Sequence, residues 1–270
     1  MKEEITVSLI VSTYNWPEAL NLCLESILKQ TVQPSEILIA DDGSTEATKK
    51  IIQQFSLLSQ VPVIHVWHED KGFRLAAIRN KAILQSSKKY IIQIDGDVLI
   101  SSHFIEDHLY MAEKGCFVRG TRVNLSKRET KTLCETGQIP STGKLHFTIK
   151  QPINAFRLPL YISRFITRKE MSGERVKGCN MAFWREDLIK VNGFSNDFKG
   201  WGHEDVELAT RLVNSGITKK IIKFSAIVYH LYHGFLSRDN TDNNTQELLN
   251  TNKNSLTWAK NGLNEVNNEE

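Results

Sequence analysis

Three groups of residues in this chain have the types and the spacing to do chemistry. The first closes the run "YIIQIDGDVLI", Tyr90 to Ile100, where an apolar stretch suited to a buried strand ends in Asp95 and Asp97 around Gly96. Two carboxylates at the end of a buried strand are what holding a hard divalent cation on a diphosphate requires. Their oxygens suit magnesium or manganese, and the metal in turn offsets phosphate charge. The glycine between them, lacking a Cβ, lets the backbone come close to a ligand. Asp-Gly-Asp also makes plain turns, so the motif gains meaning only in company.

That company lies further along the chain. In "GWGHEDVELATRLVNSG", Glu204 and Asp205 stand at the start of an amphipathic helix, where the helix dipole favours carboxylates and Leu208, Leu212 and Val213 face inward. Gly200, Trp201 and Gly202 set an indole beside these acids, an arrangement that stacks on the C–H face of a sugar while its hydroxyls take hydrogen bonds. In "VYHLYH", His230 and His233 follow an apolar strand and can complete an octahedral metal site begun by Asp97. The spacing leaves open which of the two binds.

The elements that must position these residues are legible in the first 115 or so positions, which alternate short β-branched runs with amphipathic stretches. The pattern predicts strands over "VSLIVSTY", "EILIADD", "PVIHVWH" and "YIIQID", with helices over Pro17 to Gln30, Thr45 to Leu57 and Phe73 to Ser86. Three crossovers imply a parallel sheet, whose ligands bind outside the carboxyl ends of the strands. Those ends are Thr13-Tyr14-Asn15, Asp41-Asp42-Gly43-Ser44, His68-Glu69-Asp70 and Asp95-Gly96-Asp97, and all four converge on one edge.

From Cys116 to about Lys177 the rhythm breaks, with Pro140, Pro152 and Pro159 as punctuation, and a loop-rich segment is expected. Within it, "KQPINAFRLPLYISRFITRKE" interleaves Arg157, Arg164 and Arg168 with Phe156, Tyr161 and Phe165. Such a stretch can lie on an anionic membrane surface, border an acceptor cleft, or form a partly buried helix with snorkelling arginines. Order returns at Gly178. The tail after Arg238 reads as a surface helix over "TQELLNTNKNSLTWAKNGL" followed by a frayed "NEVNNEE".

Composition narrows the function classes. The 270 residues are 40% hydrophobic and 24% charged, ordinary for one large α/β domain or two closely fused ones. A net charge of +3, with no basic cluster interleaved with aromatics, argues against nucleic acid as a partner. Cys23, Cys116, Cys134 and Cys179 show no CxxC spacing, which disfavours a zinc ribbon or disulfide framework and points to the cytoplasm. The N-terminal "MKEEITVSLIVSTYN" reads as neither signal peptide nor membrane span, and no other run reaches spanning length.

Taken in order, "STYN", "ADDGS", "DKGFRLAAIRN", "DGDV", "GCNMAF" and "GWGHEDVE" resemble the family-two glycosyltransferases of the GT-A fold. The last two, with "YHLYH", resemble the C-terminal half shared by β-1,4-galactosyltransferases and chondroitin-polymerase-type enzymes. The resemblance spans roughly Val7 to His233. It implies an α/β fold with a Rossmann-like, mostly parallel central sheet flanked by helices. Residues 1–115 would form the nucleotide-sugar-binding half, 116–238 the acceptor-binding and catalytic half, and 239–270 a helical tail.

The resemblance also implies roles. Thr13, Tyr14 and Asn15 lie along the nucleotide, and Asp42 is similar to the acid that hydrogen-bonds uracil. Arg74, Arg79 and Asn80 sit near the diphosphate or sugar, while Asp95 and Gly96 contact ribose and donor. Asp97 is the metal ligand, with His230 or His233 as the remaining protein ligand. Trp201, Gly202 and Glu204 bind acceptor, and Asp205 is the base. Two departures stand out: His203 takes the place of a usual second glycine, and a histidine replaces the methionine seen near the metal.

The implied reaction is inverting and metal-dependent, with manganese first and magnesium as the alternative. It moves a hexose or N-acetylhexosamine from a UDP-sugar to a saccharide or lipid-linked saccharide in bacterial surface polysaccharide synthesis, at or near the inner face of the membrane. A sugar-nucleotide pyrophosphorylase would need a glycine-rich, Lys/Arg-bearing loop after the first strand, which "STYNWPEAL" lacks. A non-catalytic sugar-nucleotide-binding protein would have no reason to keep Asp97, Glu204, Asp205 and the histidine pair together.

Overall fold

The computed structural model describes residues 4–137, 139, 152–200, 202–234 and 241–268. Strands β1 (Val7–Thr13), β2 (Glu36–Asp41), β3 (Val63–Trp67) and β4 (Tyr90–Asp95) run parallel in the order β3-β2-β1-β4. Every residue of β1 and β2 is buried, which is why these strands read as continuous apolar runs rather than alternating ones. Helices α1 (Pro17–Leu28), α2 (Glu46–Leu58) and α3 (Leu75–Gln85) make the crossovers, within two residues of the expected limits. Pro17 opens α1, where its missing N–H costs nothing. Successive strand residues feed opposite layers. Leu9 and Val11 pack with Leu20, Ile27, Ile52 and Phe55 of α1 and α2, whereas Ile10 packs with Ile78 and Ile83 of α3 and with Leu208 and Leu212.

Past β4 the chain forms β5 (Val98–Ile100), β6 (Cys116–Arg119), β7 (Thr121–Asn124), β8 (Arg168–Glu170), β9 (Asn180–Trp184), β10 (Thr218–Ile221) and β11 (Ile227–His230). The main sheet continues as β4-β9-β6-β10-β8, with β9 antiparallel to both β4 and β6. A second sheet has the order β5-β11-β7. The expectation of a loop-rich segment from Cys116 to Lys177 is therefore corrected. Among its described residues that stretch supplies three strands and the helices Lys127–Thr136 and Leu160–Ile166. Its strands are three or four residues long, too short to display a period. The first of its helices is announced by a capping box, Ser126 with Glu129, rather than by apolar spacing.

The tail also differs from expectation. Its helix is Thr241–Lys253, displaced towards the N-terminus from the expected span; it lies on the surface with Asn244 and Thr251 turned in against the helix Glu204–Asn214. Asn244 Nδ2 donates to the carbonyls of Lys199 (3.2 Å) and Gly202 (3.0 Å), and Thr251 Oγ1 donates to Glu207 Oε1 at 3.0 Å. The buried face is polar, so no apolar period revealed it. Leu263–Asn268 then forms a 3₁₀ turn with Leu263 and Val266 buried, where the start of a frayed end was expected; the last two residues of that expectation lie outside the described residues.

Candidate active site

Asp95 ends β4 opposite Ser12 of β1, and the Gly96 N–H donates to the Ser12 carbonyl at 2.6 Å. A Cβ at Gly96 would meet that oxygen at 3.1 Å and Thr13 Oγ1 at 3.2 Å. The close approach that demands glycine is thus to β1. The chain then turns into β5, where Val98 pairs with His230 of β11, and the Leu231 N–H donates to the Asp97 carbonyl at 2.9 Å. Strand pairing across the second sheet carries the two histidines to Asp97.

Asp97, His230 and His233 each offer a ligand atom, and these atoms lie within 4.8 Å of one another. Asp97 Oδ2 stands 3.7 Å from His230 Nε2 and 3.6 Å from His233 Nε2, too far for hydrogen bonds. Each imidazole faces a carbonyl through Nδ1, His230 that of Leu231 and His233 that of Gly234, both at 2.8 Å. A carbonyl can only accept, so Nδ1 is the donor there and Nε2 is turned to Asp97. Metal-ligating histidines are oriented in this way. Asp97 Oδ1 is buried with no hydrogen-bond partner, and burial lifts its carboxyl above the usual range, with His230 pulling it back and Asp95 adding to the rise. A carboxylate with one oxygen unpaired and the other turned to two imidazole Nε2 atoms fits a divalent cation.

The second acidic pair is joined to the first by Arg79 on α3. Its Nη2 lies 2.7 Å from Asp95 Oδ1, its Nη1 3.3 Å from Glu204 Oε1, and its Nε donates to Ser12 Oγ at 3.1 Å. The guanidinium, only 1% exposed, also lies over the Phe194 ring at 5.4 Å. Arg79, expected near the diphosphate or sugar, thus has its fork on Asp95 and Glu204. Asn80 is fully buried, with Nδ2 donating to the Phe194 carbonyl and Asn196 Oδ1 and with Oδ1 accepting the Phe194 N–H.

Glu204 and Asp205 open the helix Glu204–Asn214. Burial, and then the neighbouring Asp205, push the Glu204 carboxyl up to about 7 against the pull of Arg79. Asp205 is held by backbone: Oδ2 accepts the Gly178 N–H and Oδ1 the Val206 N–H, each at 2.8 Å. Gly202 has φ +111° and open space where a Cβ would stand, and its carbonyl takes the Asn244 amide. His203 sits in the left-handed region at φ 73°, the position where the resemblance led us to expect glycine. Trp201 lies outside the described residues.

At the ends of β1 and β2, Tyr14 is 49% exposed and its hydroxyl donates to Asp70 Oδ2 at 2.9 Å. Asn15 accepts the Thr45 N–H, and Thr13 is buried against Gly96. Asp42, 3% exposed, already takes one hydrogen bond on each oxygen, Oδ1 facing His68 Nε2 at 2.6 Å and Oδ2 accepting the Arg74 N–H at 2.9 Å. The Arg74 side chain donates to the Glu69 carbonyl at 2.5 Å. Gly43, at φ +92°, touches the next loop so closely that a Cβ would stand 2.6 Å from Asp70 Cα.

A metal-fitting trio and a backbone-held acid thus share one edge of a mostly parallel sheet. Residues 8–167 match the family model for glycosyl transferase family 2. The chain belongs to that family. Residues 161–234 match a second model, described as the N-terminal domain of galactosyltransferase. Validoxylamine A glucosyltransferase of Streptomyces hygroscopicus subsp. limoneus is 27% identical over 232 residues, covering 81% of this chain and 50% of that protein. Chondroitin synthase of Pasteurella multocida is 27% identical over 254 residues, covering 85% of this chain and 25% of that protein. The chain therefore spans half the length of the first relative and a quarter of the second. The crystal structure of S. aureus TarS 1-349 superposes with a TM-score of 0.63 at 15% identity, covering 97% of this chain and 68% of that one. The fold is the GT-A fold.

Several residues of this family-two chain that shape the site were not singled out by sequence reasoning. Gly178 acts through its N–H on Asp205, and a Cβ there would come within 3.3 Å of Arg79 Nη2. His68, named from the sequence only as part of a strand end, secures Asp42, and Glu207 with Arg211 anchors the helix that carries the acids. Gly178 opens the quoted "GCNMAF", the one signal that pointed at it.

Proposed function

We propose that this chain is an inverting, metal-dependent glycosyltransferase that moves a hexose or N-acetylhexosamine from a UDP-sugar to a hydroxyl of a saccharide or lipid-linked saccharide. The observation that carries the proposal is the meeting of Asp97, His230 and His233 with Asp205 and Glu204, linked through Asp95 and Arg79, at the carboxyl edge of the sheet. A divalent cation held by Asp97, His230 and His233 would offset the negative charge that develops on the departing UDP. Two imidazole nitrogens in the donor set favour manganese over magnesium.

In this reading Tyr14, with Thr13 and Asn15, lines the nucleotide, Asp42 takes the base N–H, and Asp95 and Gly96 border the ribose. Arg74 lies at the diphosphate end. Asp205 is the general base. Two backbone N–H groups aim its carboxylate and leave lone pairs for the acceptor hydroxyl's proton, while that oxygen attacks C1 from the face opposite UDP. Glu204 accepts from a neighbouring acceptor hydroxyl, with Gly202 and Trp201 shaping the sugar's place. The relatives support a role in bacterial polysaccharide synthesis. Tyr161 (69% exposed) and Phe165 (89%), one turn apart beside Arg164 and Arg168, support docking on an anionic membrane carrying a lipid-linked acceptor. Among the described residues no helix is long and apolar enough to cross a membrane.

The test is release of UDP from a panel of UDP-sugars with manganese, magnesium or EDTA, with and without saccharide acceptors, beside Asp205→Asn. The expected result is metal-dependent release from one donor, reduced about a hundredfold or more in the variant with donor binding intact. Wild-type turnover in Asp205→Asn, or no binding of any UDP-sugar with metal present, would overturn the reading.

A further inference from the structure

Arg119, Arg122 and Lys177 gather beside the candidate active site, and among the described residues none of them forms an ion pair with an acid. Arg119 ends β6, Arg122 lies in β7, and Lys177 stands in the turn that leads into β9, its carbonyl accepting the Asn180 N–H at 2.9 Å. The Nε atoms of both arginines are buried with no hydrogen-bond partner. Arg122 Nη1 reaches the Cys179 thiol at 3.9 Å. The acid that bears on Arg119, Glu170, already faces Lys219 at 3.4 Å and Arg175 at 3.8 Å. Burial, with repulsion from Arg122 and Arg119, pulls the Lys177 ammonium down to about 8.

The cluster borders the chemistry. Lys177 is the chain neighbour of Gly178, whose N–H holds the base Asp205 at 2.8 Å. The thiol that Arg122 touches is also acted on by Asp95 and Asp97. Half-buried cations left unpaired carry a desolvation cost, which a counter-charge or a ligand offsets. The charge of a departing diphosphate has its own answer in the metal-fitting trio, so these cations are left for the other substrate.

We propose that Arg119, Arg122 and Lys177 form a binding site for an oxyanion on the acceptor, so that the enzyme takes an anionic acceptor. The inference rests on the transferase reading above. Two sources share the chemistry: a uronate carboxylate within the saccharide, or the diphosphate of a lipid carrier.

The experiment is titration calorimetry on the full chain with manganese and UDP, using three probes. These are a uronate-terminated tetrasaccharide, its carboxyl-reduced counterpart, and that neutral tetrasaccharide on a short prenyl diphosphate. One anionic probe at least is expected to bind about ten- to hundredfold more tightly than the neutral one, and the probe that gains identifies the source. Arg122→Gln and Lys177→Gln should remove that margin, Arg122→Lys should restore part of it, and UDP affinity should stay unchanged. Equal binding of all three probes would overturn the inference. So would variants that weaken UDP while keeping the margin, since the cluster would then serve the donor. UDP titrated alone with metal reports the transferase reading separately: its failure to bind would sink that reading, whatever the acceptor margin shows.

Discussion

Nη1 of Arg79 lies 3.3 Å from Oε1 of Glu204, and this contact joins the two acidic motifs of the chain. The same guanidinium holds Asp95 at 2.7 Å, so one buried cation from α3 sets the spacing between the end of β4 and the start of the helix that carries Asp205. Asp95 and Glu204 are thereby built on a shared support.

Removing that support should be costly in a specific way. Arg79→Gln leaves two carboxylates facing each other without a counter-charge, and loss of one partner of a buried ion pair costs about 3–5 kcal/mol. Arg79→Lys keeps the charge but cannot fork to both acids, and should fall between wild type and Gln. Urea unfolding at neutral pH checks the order. Equal stability of all three proteins would remove Arg79 from its supporting role.

The metal trio gives an effect that changes sign with conditions. In EDTA, Asp97→Asn should leave stability unchanged or raise it, because burial disfavours the wild-type carboxylate. With manganese at about a hundred times its dissociation constant, wild type should gain about 2.7 kcal/mol. In a chain of this size that is about 5–10 °C in melting temperature. Asp97→Asn, His230→Ala and His233→Ala should each lose most of the gain. A melting temperature indifferent to manganese would discard the site.

The sequence disclosed the parallel half of the fold because β1, β2 and β4 are buried on both faces and read as unbroken apolar runs. It also drew attention to the candidate residues, since Asp97, Asp205 and the histidine pair are unusual where they stand. It could not disclose that both histidines reach Asp97. That depends on β5 pairing with β11, strands of three and four residues with no room for a pattern. Arg79 gave no sign of burial, because an arginine on a helix is ordinarily solvated and the acids that bury it lie up to 125 positions away. Gly178 acts on Asp205 through its backbone, which carries no residue-type signal.

The helix Glu204–Asn214 has a second buried pair beneath the site. Arg211 meets Glu207 through two hydrogen bonds of 2.7 Å, and its remaining nitrogen donates to the Val191 carbonyl at 2.6 Å. Glu207→Ala strands the guanidinium and should lower stability by about 3–5 kcal/mol. Thr251→Ala removes only the tail's hydrogen bond to Glu207 and should cost about 1 kcal/mol. Thermal unfolding followed by circular dichroism separates the two. A Thr251→Ala protein as damaged as Glu207→Ala would mean that the tail, rather than the ion pair, holds the helix.

Glu204 makes stability depend on pH. Its carboxyl is raised from an ordinary 4.5 to about 7 by burial and by Asp205, so between those values the folded chain holds a proton that the unfolded chain has released. Stability must then fall as pH rises, since the unfolded state binds fewer protons over that window. The contribution is complete below about 4.5 and lost once pH passes about 7. Glu204→Gln removes the titrating group while keeping its shape. Its melting temperature should therefore lack this component of the decline, so that the variant gains on wild type as pH is raised from 4.5 through 7. Melting temperatures taken in steps across that range test the sign directly. Parallel curves for the two proteins would show that Glu204 is ionised throughout, with Arg79 outweighing its burial.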